Sequence, residues 1–427
     1  MNQYASLKVG LTQPEAVEQL KYLYGSQEGT LVRQAARYAG LLDRHEELFH
    51  AQSPVHLISA PGRMEIGGNH TDHNRGKVLA ASASLDTLAA VTKRDDTLVH
   101  LHSEGYAPIC IDLSDLEKHT EEEGTTASLI RGVAAGMARA GYKVGGFDAV
   151  VTSSVVSGSG LSSSAAFEVM VCAILDRLYN DGNMDFKESA KISQFAENVY
   201  FGKPSGLLDQ MASAAGGLVG IDFKDEDPVV TRLAFDFQKK SYYLVVVATG
   251  GSHADLTDYY ASIPTEMKQV AACLGQQVLR QIRPEEFDQA IPTLRAKVSD
   301  RAILRAKHFY HENERVDRQI QALQEENLPK FFEAITESGY SSFMYLQNVY
   351  ADPTKDQSLS VALALAEEQL QGKGAWRIHG GGFAGTTLNF VSENDLNAFV
   401  RKMEAVFGEG SCHILNIRPV GAYELKL

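Results

Sequence analysis

A glycine and serine turn that runs straight into a helix, VVSGSGLSSSAAFEV at 155–169, constrains this chain more than any other segment. Glycine lets a backbone make close approaches that a Cβ would block. The apolar periodicity that follows predicts a helix over 163–179, so Ser162, Ser163 and Ser164 stand at its start beside unpaired backbone N–H groups. That combination binds phosphate, and a hydroxyl there can reach an oxygen-seeking Mg2+ carried by a nucleotide. Taken alone, the segment reads first as a turn and helix cap; two other segments shift the balance. The common phosphate signatures are absent, with no G-x-x-x-x-G-K-[ST] and no paired H-R-D and D-F-G.

The two companions are APGRMEIGGNHTDHNRG (60–76) and HGGGFAG (379–385). Gly380, Gly382 and Gly385 satisfy G-x-G-x-x-G, but TTLNFV follows with a strand pattern and no βαβ unit surrounds it. A dinucleotide fingerprint is therefore rejected, and close chain packing or a bulged turn is expected. His70, Asp72 and His73 are metal-type ligands, yet residues adjacent on one loop rarely complete a tetrahedron, and no second His/Cys cluster accompanies them. Asn69, His70 and Asp72 with Arg63 close by suit the hydroxyls of a sugar better. HEELFH (45–50) is one residue longer than H-E-x-x-H and is expected on a solvated helix face.

Around these segments the chain has 427 residues, 44% of them hydrophobic, enough for two or three domains with real cores. Helices are expected at 13–25 and 30–50 as a surface preamble. Short strands run through 55–91, and helices are expected near 126–141, 163–179 and 185–201. The apolar run YYLVVVATG (242–250) marks a strand, followed mainly by helices to 370 and a closing strand around 412–425. The irregular mixing of strands and helices favours an α+β class, with a soft boundary near 225–241. Fifty-four acidic against 40 basic residues give a net charge of −14, so no nucleic-acid surface is expected. Cys110, Cys172, Cys273 and Cys412 are far apart and read as reduced thiols of a cytosolic protein. No signal-type start and no run of 18 apolar residues occurs, so no membrane association is expected.

With the three segments in this order, the chain resembles a galactokinase of the GHMP small-molecule kinase family. PGRMEIGGNHTDHNRG is similar to the sugar-binding signature, GSGLSSSAA to the ATP motif, SGLLDQ (205–210) to the catalytic-aspartate segment and GAWRIHGGGFAG to the third motif. The resemblance implies a two-domain GHMP fold, ribosomal protein S5 domain 2-like at 31–230 and ferredoxin-like at 231–427, after an N-terminal extension at 1–30. It implies phosphorylation of the C1 hydroxyl of galactose or a close relative by ATP with Mg2+. Asp209 becomes the catalytic carboxylate and Arg63 its cationic partner. Gly158, Ser159, Gly160, Leu161, Ser162, Ser163 and Ser164 meet the nucleotide, Ser164 and Glu197 the metal. Asn69, His70, Asp72, His73, Gly206 and either Tyr259 or Tyr260 meet the sugar. A monomer or weak homo-oligomer is expected.

Departures from the signature G-R-x-N-L-I-G-E-H-T-D-Y bear on the substrate: Glu65 stands for that Asn, Gly67 for the Ile, Asn69 for the Glu and His73 for the Tyr. The Glu position ordinarily faces the C6 hydroxyl. A neutral amide there, with a histidine nearby, makes a 6-carboxylate sugar conceivable, so a galacturonate 1-kinase is the alternative. A non-catalytic sugar sensor of kinase type is a further alternative, disfavoured because Ser162–Ala165, Arg63 and Asp209 are all present. A mevalonate- or homoserine-type kinase fits the ATP motif but not the His-Thr-Asp loop.

Overall fold

The computed structural model describes residues 3–155, 160–250 and 256–427. Three helices open the chain: α1 (Gln3–Gly10), α2 (Pro14–Tyr24) and α3 (Glu28–Phe49). Strands β1 (Val55–Gly67), β2 (Lys77–Lys93), β3 (Leu98–Ser103) and β4 (Ile109–Asp112) follow, then α4 (Thr126–Arg139), β5 (Phe147–Ser153), α5 (Ser163–Tyr179), α6 (Phe186–Phe195) and α7 (Leu208–Ala215). After β6 (Leu218–Asp222) and β7 (Val229–Leu233) comes β8 (Tyr242–Ala248), and then the long helical run α8 (Thr257–Cys273), α9 (Pro284–Leu294), α10 (Asp300–Gln324), α11 (Leu328–Ser341) and α12 (Ser358–Leu370). The chain closes with β9 (Ala375–His379), β10 (Thr386–Ser392), α13 (Leu396–Phe407), β11 (Cys412–Leu415) and β12 (Tyr423–Leu425).

Among the described residues the strands form two sheets, as an α+β chain requires. The larger has the order β12-β1-β2-β5-β3-β4, with β6 on the first half of β2 and β7 outside it; the smaller is antiparallel, β11-β8-β10-β9. KVLAASAS and DTLAAVTKR prove to be one continuous strand, β2, long enough to pair β6 through Lys77–Ala81 and β5 through Thr87–Lys93. Between β1 and β2 the register slips at Pro61/Arg63 and again at Glu65/Gly67. Bulges of this kind re-aim side chains, and these two flank Arg63 and Glu65.

Helices α4 to α7 cover one face of the large sheet through Ile130, Val133, Val169, Met170 and Met211. The two sheets share a second core in which Met64, Ile66 and Leu79 meet Leu244, Leu388, Phe331 and Phe390, with Val316 of α10 between them. This shared core fixes the first glycine segment against the third.

The N-terminal helices are not a peripheral preamble. Tyr4, Leu20, Tyr38 and Leu42 are buried in one cluster with Leu57, Leu88, Val150 and Leu425, where β1 is also paired by β12. Their polar groups converge on Asp86, which is fully buried: its carboxylate accepts from Tyr24 Oη (2.5 Å), Arg418 Nη1 (2.9 Å) and Arg37 Nη1. Burial alone would raise its pKa, but the two guanidiniums outweigh it and hold Asp86 below the usual carboxylate range. His45 of HEELFH is likewise not solvated. It is fully buried, within 3.0 Å of Tyr4 Oη and donating from Nε2 to the Asp148 carbonyl (3.3 Å). Periodicity placed the helix and its apolar face correctly, with Tyr38, Leu41 and Leu42 buried, but not His45, because a satisfied histidine looks polar in sequence.

Candidate active site

Arg63 and Asp209 form the centre. Arg63 lies on the bulged part of β1 and Asp209 in the first turn of α7. They make a fork, Arg63 Nε to Asp209 Oδ1 at 2.6 Å and Nη2 to Oδ2 at 2.9 Å. Ser162 Oγ donates to Asp209 Oδ2 at 2.6 Å. The remaining Arg63 donors face the phosphate loop, with Nη1 on the Gly160 carbonyl and the backbone N–H on the Leu161 carbonyl. Burial would raise the Asp209 pKa, but the adjacent Arg63 dominates and holds it below the usual range, so Asp209 is an anion at neutral pH. Two glycines permit this closeness. A Cβ on Gly62 would lie 2.8 Å from the Leu161 carbonyl oxygen, and one on Gly206 would lie 1.8 Å from Asp72 Oδ2.

On the phosphate side, α5 starts at Ser163 as expected, and Ser162 takes a left-handed conformation (φ 58°) to turn into it. Gly158 and Ser159 lie outside the described residues. Glu197 opens a π-helical turn, Ala196–Phe201, that continues α6, the kind of local widening that recurs at functional sites. It is buried, and its carboxylate accepts from Ser164 Oγ (2.9 Å), Lys203 Nζ (2.7 Å), Ser205 Oγ (2.6 Å) and Gln210 Nε2 (2.8 Å). Gln210 also donates to Glu168, whose pKa burial, with Glu197 nearby, pushes well above the usual carboxylate range. The Ser164 hydroxyl and the Glu197 carboxylate are hard oxygen donors suited to Mg2+. Among the described residues no group of three His, Cys, Asp or Glu side chains could hold a metal alone. An ion here would complete its shell with phosphate oxygens and water. The Lys203 side chain, 56% exposed, is the donor to Glu197 best able to move aside.

The sugar loop is held from beneath. Asp72 accepts from the His73 N–H (2.9 Å) and the Leu208 N–H (3.3 Å), which sets it beside the Asp209 helix. His70 donates from Nε2 to the Gly381 carbonyl (2.9 Å) and stacks on His73, ring centroids 6.2 Å apart. Burial, with His73 nearby, lowers its pKa to about 4, so it is neutral with Nδ1 as acceptor. Helix α10 supplies three supports: His308 donates from Nε2 to the Asn69 carbonyl (3.0 Å), Glu312 accepts from the Gly68 N–H (3.0 Å) and Asn313 accepts from the Lys77 N–H (2.6 Å).

Asn69 and the two tyrosines are more enclosed than expected. Asn69 is fully buried, with its amide hydrogen-bonded to Glu65, the Gly380 carbonyl and Asn348. Tyr260 donates to the Gly382 carbonyl (2.9 Å), and it and Tyr259 both pack against Phe383, so they brace the third glycine loop rather than stand free. The loop itself leads into β10, as expected for close packing rather than a dinucleotide fold. Sequence reasoning missed Arg377, Gln210, Glu168 and the α10 trio. The available signal was His308, Glu312 and Asn313 lying on the apolar side of a helix with Phe309 and Val316.

Comparison with known proteins agrees with this geometry. Residues 43–93 match the galactokinase galactose-binding signature and residues 128–217 the N-terminal domain of GHMP kinases. The chain is 32% identical to a galactokinase of Streptomyces coelicolor, covering 86% of this chain and 92% of that one. It is 30% identical to one of Clostridium tetani, covering 83% and 88%. The crystal structure of Lactococcus lactis galactokinase complexed with galactose superposes with a TM-score of 0.80 at 26% identity, over 91% of this chain and 99% of that one. A mevalonate kinase structure shares the fold alone, with a TM-score of 0.60 at 12% identity over 84% and 98% of the two chains. The fold is thus that of the GHMP kinases, and the protein is a small-molecule kinase. Within that class, the chain belongs to the galactokinase family.

Proposed function

We propose that the protein transfers the γ-phosphoryl group of ATP to the C1 hydroxyl of galactose. The observation that carries this reading is the Arg63–Asp209–Ser162 cluster, set between the sugar loop and the start of α5. Asp209 accepts a hydrogen bond from the C1 hydroxyl and aims its oxygen at the phosphorus. Because Arg63 and Ser162 already stabilise the anion, Asp209 is a weak base. It orients the hydroxyl and takes the proton late, as the O–P bond forms, which a loose transition state permits. Arg63, fixed by Asp209, offsets charge on the transferred group. Backbone N–H groups and hydroxyls of 158–164 hold the phosphates, and Mg2+ supplies charge neutralisation at Ser164 and Glu197. Asp72 and His73 face the sugar, and Gly206 leaves room for Asp72.

The galacturonate alternative loses its main support, since Asn69 is turned inward. We further infer two functional units that meet near residue 230, the first including residues 3–49 and β12, in a cytosolic monomer or weak homo-oligomer. No helix among the described residues is long and apolar enough to cross a membrane. The test is ADP release with MgATP against galactose, galacturonate, N-acetylgalactosamine, arabinose, glucose and mevalonate. Turnover on galactose is expected. Turnover on galacturonate alone transfers the reading to the uronic acid, and ATP binding with silence on every sugar makes the protein a sensor.

A further inference from the structure

We propose that Glu65 and Asn69 are positioning residues that act as one unit with Arg377, latching the sugar loop onto the third glycine loop from below without touching the substrate. The inference rests on the sugar-kinase reading above and concerns how that site is shaped. The starting observation is an exchange. The family signature has an amide at position 65 and a carboxylate at 69; this chain has Glu65 and Asn69. Both residue types are kept, with their seats reversed.

The geometry explains why the two must change together. Asn69 Nδ2 donates to Glu65 Oε1 at 2.8 Å, and Arg377 Nη2 donates to the same oxygen at 2.7 Å. Arg377 is fully buried, and its Nη1 holds the Ile66 carbonyl at 2.6 Å. A guanidinium in that position needs a carboxylate within reach, because an unpaired buried charge is strongly destabilising. Glu65, only 5% exposed, supplies it. The Asn69 amide does what a carboxylate in its place cannot. Its Nδ2 donates both to Glu65 and to the Gly380 carbonyl (2.8 Å), while its Oδ1 accepts from Asn348 Nδ2 (2.8 Å). A carboxylate at 69 would set like charge against Glu65 and a bare oxygen against Gly380. One carboxylate is required and a second is excluded, so a change at either position calls for the other.

The latch spans both sheets: Glu65 is on β1, Arg377 on β9 and Gly380 just beyond it. Its backbone is tied in as well, with the Glu65 N–H donating to His379 Nε2 at 3.1 Å. It lies two residues from Arg63, so loosening it shifts the loop that carries Asp72 and His73. Recognition of the sugar away from C1 then falls to those two side chains.

A double-mutant cycle tests this with near-isosteric changes: Glu65→Gln, Asn69→Asp and the pair together, in the full-length protein. The readouts are KM for galactose, KM for ATP and the thermal midpoint. Each single change is expected to raise the galactose KM about tenfold, to lower the midpoint and to leave the ATP KM within about twofold. The double variant, with one carboxylate restored to the pair, recovers the part of both losses that comes from charge balance, while the lost Gly380 contact keeps it short of wild type. Independent effects in the double variant overturn the proposal, as does an ATP KM that moves as much as the galactose KM. So does an Asn69→Asp variant whose preference between galactose and galacturonate changes more than about tenfold, because that side chain would then touch the sugar. If the wild type is silent on galactose, the functional reading fails, and coupling of the thermal midpoints still decides the latch.

Discussion

The sugar loop and the phosphate side lie on either side of Arg63 and Asp209 but are built differently. The sugar loop is fastened by groups of three other elements: the fully buried His308 and Glu312 on α10, Arg377 on β9, and the Gly380 and Gly381 carbonyls. On the phosphate side the metal-type carboxylate, Glu197, draws its partners from one region of chain, residues 164–210, and one of them is a half-exposed lysine. On the function proposed above, the contrast makes the sugar loop the preorganised side and gives the phosphate side one exposed donor, Lys203, that a bound cation would displace.

The largest effect is expected where the two sides meet. Asp209→Asn should lower kcat about a hundredfold or more while calorimetry still detects both ligands; near-normal turnover would remove Asp209 from the chemistry. Next, Glu312→Gln leaves Arg315 without its buried counter-ion and should cost about 2–4 kcal/mol in denaturant unfolding. Its galactose KM should rise with the ATP KM little changed, and equal rises would break the contrast drawn here.

A pH series sharpens it further. Burial lowers the His308 pKa to about 4, below the roughly 6.5 of an unfolded histidine. The unfolded chain therefore binds this proton first, and stability is lost as pH falls from about 6.5 to about 4, by up to about 3 kcal/mol. Glu65, raised by burial to about 7, acts in the opposite sense across much of that window. His308→Gln should therefore flatten the acid fall of the thermal midpoint relative to wild type, and parallel curves would show that His308 is not buried neutral. The smallest effect belongs to Lys203→Met. Freed of a competing cation, Glu197 should take Mg2+ at about two- to fivefold lower concentration, with the galactose KM unchanged.

Local signals made much of this legible in the sequence. The helix after Ser162 begins and ends where periodicity sets it, and YYLVVVATG is β8. Arg63 and Asp209 followed from motif order, since a sequence separation of 146 hides their contact from any local rule. What stayed hidden was polar chemistry inside apolar surroundings. His45 read as a solvated helix position, and His308 and Glu312 drew no reading at all, because sequence does not reveal that each has a buried partner. Asn69 misled for a related reason: an amide in a glycine-rich loop looks available until Arg377, more than 300 residues later, is seen to seat Glu65 beside it.

The pairing of β12 with β1 also governs how the protein can be made. A ribosome emits β1, β2 and the Asp86 carboxylate early, yet Arg418 and Leu425, which complete that core, emerge near the end. Until then β1 offers an unpaired edge and Asp86 lacks one of its two cations, a state open to wrong strand partners. Slow synthesis of the intervening chain would lengthen that exposure, so the yield of native protein is expected to depend on translation rate as well as on final stability.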